Sequence, residues 1–207
     1  MAKLNSIADL RRVIPEPRPT TKVKILEALD EQSIDFLKRC PFALVSTTSP
    51  DGTIEVSPKG DEPGFIRVED SRTLLIPERV GNNLAFGLSN MIANGRIGMI
   101  CLVPATGETL RLSGTAEVFD DPDLVASLSS LGKPALLATR VKIKHCYFHC
   151  ARSIVRAGLW KPETWPAAGR ISFGKIIAPR MGQGEELADQ IDTGVAGAYK
   201  ERLWVNS

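Results

Sequence analysis

The sequence predicts an α+β protein that is mainly β, with helices flanking an antiparallel sheet. Between residues 42 and 119, runs rich in β-branched residues recur between Gly, Pro and Asp at hairpin intervals. Residues 109–119 alternate apolar and polar side chains, which is typical of a sheet with one solvated face. Apolar residues at helical spacing occur before, between and after these runs.

Composition and charge are those of an ordinary folded domain. The chain has 207 residues, of which 43% are hydrophobic and 24% charged, enough for one well-filled core. The formal charge of +2 creates no field that attracts nucleic acid or a membrane surface, so we expect neither as a partner. Apolar runs are too short to cross a bilayer and the N-terminus lacks a signal-peptide core, so a cytoplasmic protein is expected.

An N-terminal arm over residues 1–20 and a single domain over residues 21–207 are predicted. In the arm, an amphipathic stretch at 7–14 is followed by three prolines at alternate positions, which prevent regular structure. A helix is predicted over residues 30–39 because its apolar residues have helical spacing and Pro41 closes it.

The segments with strand character are separated by turn residues. At 49–52 the sequence Ser-Pro-Asp-Gly suits a tight hairpin, since glycine supplies the positive φ that such a turn needs. The predicted strands cover residues 42–48, 53–57, 65–68, 73–76, 97–103, 109–119 and, around the alternating Val141, Ile143 and His145, a last one.

Further helices are predicted after these strands. Residues 83–93 carry an apolar stripe that follows Gly81-Asn82-Asn83. Asp121 and Pro122 suit the cap and first position of another helix, which Gly132 ends. Helices are also expected over residues 148–159 and 185–199.

Two stretches at predicted strand ends combine a cation with flexible backbone: 57–61 (Ser-Pro-Lys-Gly-Asp) and 78–83 (Glu-Arg-Val-Gly-Asn-Asn). The second leads into a helix whose unpaired N–H groups favour a phosphate, and Arg79 can add a bidentate contact. The same pattern also suits a solvated Arg79 with Asn83 as a simple helix cap. From the pattern alone both interpretations stay open.

Residues 42–118 resemble the core of the pyridoxamine-phosphate-oxidase-like, FMN-binding family. The motifs that carry the resemblance stand in that family's order: Asp51-Gly52, Ser57-Pro58-Lys59-Gly60-Asp61, Pro63-Gly64-Phe65, Ile76-Pro77-Glu78-Arg79, Gly81-Asn82-Asn83, Thr109-Leu110-Arg111 and Gly114. A downstream block, His149-Cys150 with Arg156 and Leu159-Trp160, extends the similarity to residue 160.

This resemblance implies a six-stranded antiparallel split β-barrel that forms a homodimer, with two FMN molecules at the subunit interface. The strand that ends at Lys59 would run beside the flavin ring, and 79–83 would hold the phosphate. Arg156 and Trp160 match residues near the ring or its substrate side, where the partner subunit can supply them. The residues implied in FMN binding are Glu55, Val56, Ser57, Pro58, Lys59, Ile76, Pro77, Arg79, Asn82, Asn83, Thr109, Arg111, Arg156 and Trp160.

The chain also departs from the vitamin-synthesising oxidase of that family. Glu55 and Ser57 stand where that enzyme has a more basic and aliphatic strand, and its substrate residues are not recognisable. We therefore expect an FMN-dependent oxidoreductase that acts on another small molecule. The alternative is a non-catalytic module of the same fold that binds flavin, haem or deazaflavin.

The cluster His145-Cys146-Tyr147-Phe148-His149-Cys150 raises the question of a metal site, because ligands four apart share one helical face. Four ligands within six residues do not easily surround one ion, and His145 falls in a predicted strand. Buried thiols beside a hydrogen-bonded histidine are the simpler interpretation, so no metal is expected. These two histidines are the only ones, and no hydrolase motif accompanies them.

Overall fold

A seven-stranded antiparallel sheet organises the chain in the computed structural model, which describes residues 3–203. The order across the sheet is β2-β1-β5-β6-β7-β4-β3, and every neighbouring pair is antiparallel. The strands are β1 (Phe42–Thr48), β2 (Ile54–Gly60), β3 (Arg67–Asp70), β4 (Thr73–Glu78), β5 (Arg96–Leu102), β6 (Thr109–Phe119) and β7 (Leu137–His149).

Helices flank this sheet at both ends of the chain and in two of its connections. They are α1 (Ile7–Val13), α2 (Pro19–Lys22), α3 (Glu31–Lys38), α4 (Phe86–Asn94), α5 (Pro122–Ser127), α6 (Arg152–Ala157), α7 (Phe173–Ile177) and α8 (Glu185–Glu201), with short 3-10 turns at Pro162–Thr164 and Ala178–Met181. The α+β class with a large antiparallel sheet is therefore confirmed. Within the described residues, no helix is both long and apolar enough to span a membrane.

The predicted count of six strands is wrong, because the sheet has seven. Among residues 3–203, β2 pairs only with β1 and β3 pairs only with β4, so the sheet has two ends and the strands do not close into a barrel by hydrogen bonding. The short hairpin of β3 with β4 supplies the additional strand at one end.

The sheet nevertheless curls strongly, and this brings its two ends together. Lys59 on β2 forms an ion pair with Glu78 on β4, although β1, β5, β6 and β7 lie between those strands in the sheet. With about 4.8 Å between neighbouring strands, five steps across a flat sheet would separate them by roughly 24 Å. Side chains, not a strand ladder, therefore join β2 to β4.

The main core fills the concave side of the curled sheet. It contains the inward residues of β1, β5, β6 and β7 and is covered by α3, whose Phe36 and Leu37 are buried. A smaller cluster of Leu75, Leu128 and Ala138 lies under α5. The predicted helix over residues 30–39 is confirmed, with Asp30 accepting a hydrogen bond of 2.8 Å from the N–H of Ser33.

Two prolines that the sequence placed at strand ends lie inside strands. Pro58 pairs with Leu44, and its other side faces no strand because β2 ends the sheet. Pro77 pairs with Ala138 of β7, and β3 pairs with β4 only at Thr73–Leu75, so the outer side of Pro77 is also unpaired. Proline has no N–H and is accepted in a sheet at such edge positions.

Three predicted helix boundaries are wrong. Phe148 and His149 belong to β7, whose pairing with β6 continues to Thr109, so the helix predicted over residues 148–159 is only α6. The helix that begins after Asp121 ends at Ser127, before residues 128–133 turn back. The helix predicted from residue 83 begins at Phe86.

Candidate functional site

A cleft of about 720 Å³ lies where the two ends of the curled sheet approach each other. One wall is the second half of β2 with the residue after it, Val56 to Asp61, and the other runs from Pro77 to Asn82. Leu203, which follows α8, completes the lining. The two stretches that the sequence predicts as anion sites therefore face each other across one space.

The ion pair between Lys59 and Glu78 ties the two walls together. Both side chains are nearly enclosed, with 13% and 7% of their surfaces exposed. The second carboxylate oxygen of Glu78 accepts a hydrogen bond of 3.2 Å from Thr139 Oγ1 on β7. The Glu78 carboxylate is therefore fixed from two sides, and it fixes the ammonium group of Lys59 in turn.

A second ion pair, between Arg79 and Asp61, lies beside the first. Arg79 Nε is 2.6 Å from Asp61 Oδ2. The two terminal nitrogens of Arg79 donate to the carbonyl oxygens of Leu128, at 2.8 Å, and Lys133, at 3.4 Å. Arg79 thus anchors the turn over residues 128–133 to the cleft. This role could not be predicted from the local pattern, because the acceptors lie about fifty residues away in the chain.

Asp61 is held as a carboxylate by its neighbours. Burial by itself would raise the pKa of Asp61, but hydrogen bonds from Ser130, from the Glu62 N–H and from Arg79 outweigh burial and lower it. Ser130 Oγ lies 2.7 Å from Asp61 Oδ1 and 2.8 Å from Glu62 Oε2. The Asp61 charge is therefore part of a wider network that joins the cleft to the turn over residues 128–133.

The segment between β4 and α4 turns sharply before the helix begins. Gly81 has φ +107° and Ala85 has φ +50°, and Asn82 Oδ1 accepts a hydrogen bond of 3.3 Å from the Ala85 N–H. Asn82 thus caps this turn, while Asn83 is exposed. Gly87, in the first turn of α4, is buried against the hydroxyl groups of Ser57 and Thr47, which places the helix N-terminus beside β2.

The structure collects half of the predicted FMN-binding residues in the cleft. Those in the lining are Val56, Ser57, Pro58, Lys59, Pro77, Arg79 and Asn82. Glu55, Ile76 and Asn83 adjoin these residues in sequence but are not part of the lining, and Ile76 is a core residue with 1% exposure.

Thr109, Arg111, Arg156 and Trp160 are also outside the lining of the cleft. Trp160 Nε1 donates a hydrogen bond of 2.7 Å to the carbonyl oxygen of Thr106, in the connection between β5 and β6. Arg156 is exposed near the end of α6. Of the four, Arg111 lines a neighbouring cavity that shares Val56 with the cleft.

This cavity, of about 320 Å³, is on the face of the sheet away from the core, and His145 and Tyr147 line it together with Arg111. Arg111 Nε is buried and donates to no acceptor among residues 3–203. His145 Nε2 lies 2.8 Å from Ser113 Oγ, which confirms that this histidine belongs to a strand. In the described part of the chain, no group of three or more His, Cys, Asp or Glu residues is arranged to hold a metal ion.

Six residues of the cleft lining were not among the predicted site residues: Gly60, Asp61, Glu78, Val80, Gly81 and Leu203. Asp61 and Glu78 stand within the motifs that carried the resemblance, and an acid next to a predicted ligand-binding cation is a usable signal for an ion pair. Leu203 has no such signal, because only the packing of the C-terminal helices brings it to β2 and β4.

Comparison with known proteins places the chain in a family. Residues 29–150, more than half of the chain, match the family model described as pyridoxamine 5'-phosphate oxidase. No curated protein matches the sequence.

Several solved structures are similar to part of the chain. HupZ of Group A Streptococcus is 16% identical and has a TM-score of 0.47, over 58% of this chain and 93% of that one. A putative pyridoxamine 5'-phosphate oxidase from Lactobacillus delbrueckii is 21% identical with a TM-score of 0.46, over 59% and 95%. An FAD binding protein from Mycobacterium smegmatis is 17% identical with a TM-score of 0.42, over 60% and 97%. From the match over residues 29–150, the chain belongs to the pyridoxamine 5'-phosphate oxidase family.

Proposed function

We propose that this chain is a flavoprotein that binds FMN in the cleft between β2 and β4 and acts as an FMN-dependent oxidoreductase on a small molecule. The observation that carries the proposal is the meeting of the two predicted stretches. Residues 57–61 and 78–82 belong to opposite ends of the sheet, yet they form facing walls of one space.

The size and chemistry of the cleft fit a flavin nucleotide. Sites for cofactors and other small molecules commonly have volumes of about 300–1,000 Å³, with apolar walls and a few polar groups that fix orientation. Val56, Pro58 and Pro77 supply apolar surface, and Lys59 and Arg79 supply cations. This combination suits a ligand with a flat ring at one end and a phosphate at the other.

Arg79 retains the capacity to bind a phosphate. A guanidinium group has five N–H donors, and the bonds to Asp61, Leu128 and Lys133 use three of them. The backbone of residues 81–83 and the N-terminus of α4 provide further N–H groups and a favourable dipole. We assign the phosphate to this end of the cleft and the ring to the β2 side.

Bound FMN would supply the electron-transfer chemistry, and the chain would supply position and electrostatics. β2 would orient the ring by backbone contacts, while Leu203 and the prolines would exclude water from it. Lys59 would place a positive group near the ring, and Arg79 would hold the phosphate. None of these roles requires the chain to provide a general base.

Thr109, Arg111, Arg156 and Trp160 support the predicted homodimer, because they match family positions near the flavin but lie outside this cleft. A second copy of the chain could bring them to it.

Purified protein is expected to be yellow, with a flavin absorbance spectrum that dithionite bleaches. Mass spectrometry of the released cofactor should identify FMN. If the protein is isolated without cofactor, titration with FMN should quench flavin fluorescence to a one-to-one endpoint per chain. Colourless protein that fails to bind added FMN would contradict the proposal, and a Soret band would point to haem instead.

Sedimentation velocity of the FMN-loaded protein is expected to give a mass about twice the 22.5 kDa of one chain. The reason is that a complete site needs residues from two copies. A strict monomer that binds FMN stoichiometrically would show that the cleft of one chain is sufficient, and the shared-interface arrangement would then be wrong.

A further inference from the structure

Both cations in the cleft are already paired with acids of the same chain. Lys59 contacts Glu78, and Arg79 contacts Asp61. The two pairs differ in their surroundings, because Arg79 reaches outward to the turn over residues 128–133, whereas Lys59 is held by Glu78 within the walls of the cleft. The charge that Lys59 presents to a bound ring is therefore set by its partner.

The position of Glu78 gives it this control. Its side chain is the more enclosed of the pair, and Thr139 Oγ1 holds the carboxylate oxygen that Lys59 does not use. Its backbone carbonyl also accepts a hydrogen bond of 2.9 Å from the Leu136 N–H. A carboxylate fixed in this way both aims the Lys59 ammonium group and cancels most of its charge, since charges in a poorly solvated site act over several ångströms with little screening.

We propose that Glu78 is a positioning residue that sets the reduction potential of flavin bound in this cleft, by holding Lys59 and compensating its charge. The proposal rests on the proposed function. Reduction adds two electrons and one proton to the oxidised flavin, so the reduced form carries one more negative charge. An uncompensated Lys59 would stabilise that form, and the Glu78 carboxylate opposes this.

The substitution Glu78→Gln tests the proposal with little change of shape. The glutamine carbonyl can accept from Lys59, and its amide can donate to Thr139 Oγ1, so both contacts can persist while the negative charge is removed. A single charge within about 4–6 Å typically changes the preference for a charged form tenfold or more. We expect reduced flavin to bind about tenfold more tightly relative to oxidised flavin, which raises the midpoint potential by about 30 mV.

Lys59→Met is the complementary variant and should move the potential in the opposite direction, because the Glu78 carboxylate is then uncompensated. The double variant, which carries both substitutions, loses both charges, and its flavin potential should be close to that of the wild type. Glu69→Gln is the matched control, since Glu69 also forms an ion pair, with Arg140, but that pair is more exposed and lies outside the cleft. Its potential should equal that of the wild type.

Potentials are measured on FMN-loaded protein by anaerobic reductive titration against a reference dye, and urea unfolding of each variant shows whether it folds. If Glu78→Gln shifts the potential upward and Lys59→Met downward, the proposal holds. If flavin binds but the potentials match the control, Glu78 has only a structural role and the proposal fails. If the wild-type protein binds no flavin, the proposed function itself fails. Should Glu78→Gln alone not fold, the double variant decides the question, because its potential rises above that of Lys59→Met only if the Glu78 carboxylate acts on the flavin.

Discussion

Arg79→Ala is expected to raise the dissociation constant for FMN about 10- to 100-fold and that for riboflavin far less. A hydrogen bond to a charged group contributes about 1.5–3 kcal/mol, and each 1.4 kcal/mol corresponds to about tenfold in affinity. Riboflavin has no phosphate, so it should lose little when this guanidinium is removed. Fluorescence titration of the apoprotein with each ligand measures both constants.

The ratio of the two constants separates phosphate binding from general damage. Arg79 also anchors the turn over residues 128–133 through the carbonyl oxygens of Leu128 and Lys133, so its loss should lower stability as well. A distorted cleft would weaken both ligands alike. Arg140→Ala, which removes an arginine paired with Glu69 on another part of the sheet, should leave both constants unchanged. An equal loss for FMN and riboflavin in Arg79→Ala would place the phosphate elsewhere.

Gly114→Ala is expected to destabilise the fold by about 3 kcal/mol or more. A Cβ at this position would lie 1.9 Å from the carbonyl oxygen of Lys142 and 3.2 Å from the Cα of Ile143. The clash involves backbone of the neighbouring strand, so no side-chain rotation can relieve it. The pairing of β6 with β7 shifts register between Ser113 and Gly114, and only glycine allows the strands to approach so closely there.

Urea denaturation followed by circular dichroism measures this loss. Gly98→Ala is the matched control, because Gly98 lies on the adjacent strand β5 and an added Cβ there meets no atom within 4 Å. Its unfolding free energy should change by less than about 1 kcal/mol. Similar midpoints for the two variants would mean that β7 can move away from β6 without much cost, contrary to the close contact at Gly114.

Most of the sheet could be predicted from local patterns, since strands depend on alternation and turn residues that the sequence displays directly. The bounds predicted for the strands Phe42–Thr48 and Thr109–Phe119 are those of β1 and β6. The residue pattern also marked a strand in each of the seven places where one occurs, whereas the count of six came from the family resemblance. The error in the count therefore came from the general description of the fold, while the local pattern gave the correct number of strands.

The predicted ends of strands and helices were wrong where tertiary contacts determine them. β7 extends from residue 137 to 149 because β6 and β4 provide partners on both sides, and no local signal shows how long those partners are. The helix predicted from residue 83 begins three residues later because Asn82 caps the Ala85 N–H and delays the first helical turn. In both cases the local residues were compatible with the predicted boundary, but a contact with residues outside the predicted element moved it.

The cations of the candidate site could be predicted from the sequence, but the acids with which they form ion pairs could not. Lys59 and Arg79 stand in short motifs that indicate anion binding, so sequence identifies them. That Lys59 meets Glu78 and Arg79 meets Asp61 follows from the curl of the sheet, which sequence patterns do not specify. The four predicted residues outside the cleft, Thr109, Arg111, Arg156 and Trp160, came from the family resemblance, and none of them lines the cleft in a single chain.

Pro58 and Pro77 bear on why the space between β2 and β4 stays open. Each lines the cleft at a position where its strand has a neighbour on one side only. Each also lacks the N–H that pairing with a further strand would require. The unpaired edges of β2 and β4 therefore do not favour a continuous strand ladder, either with each other or with an extended segment of another chain. The same two residues that keep these exposed edges from pairing with another chain therefore also keep a strand out of the space between β2 and β4.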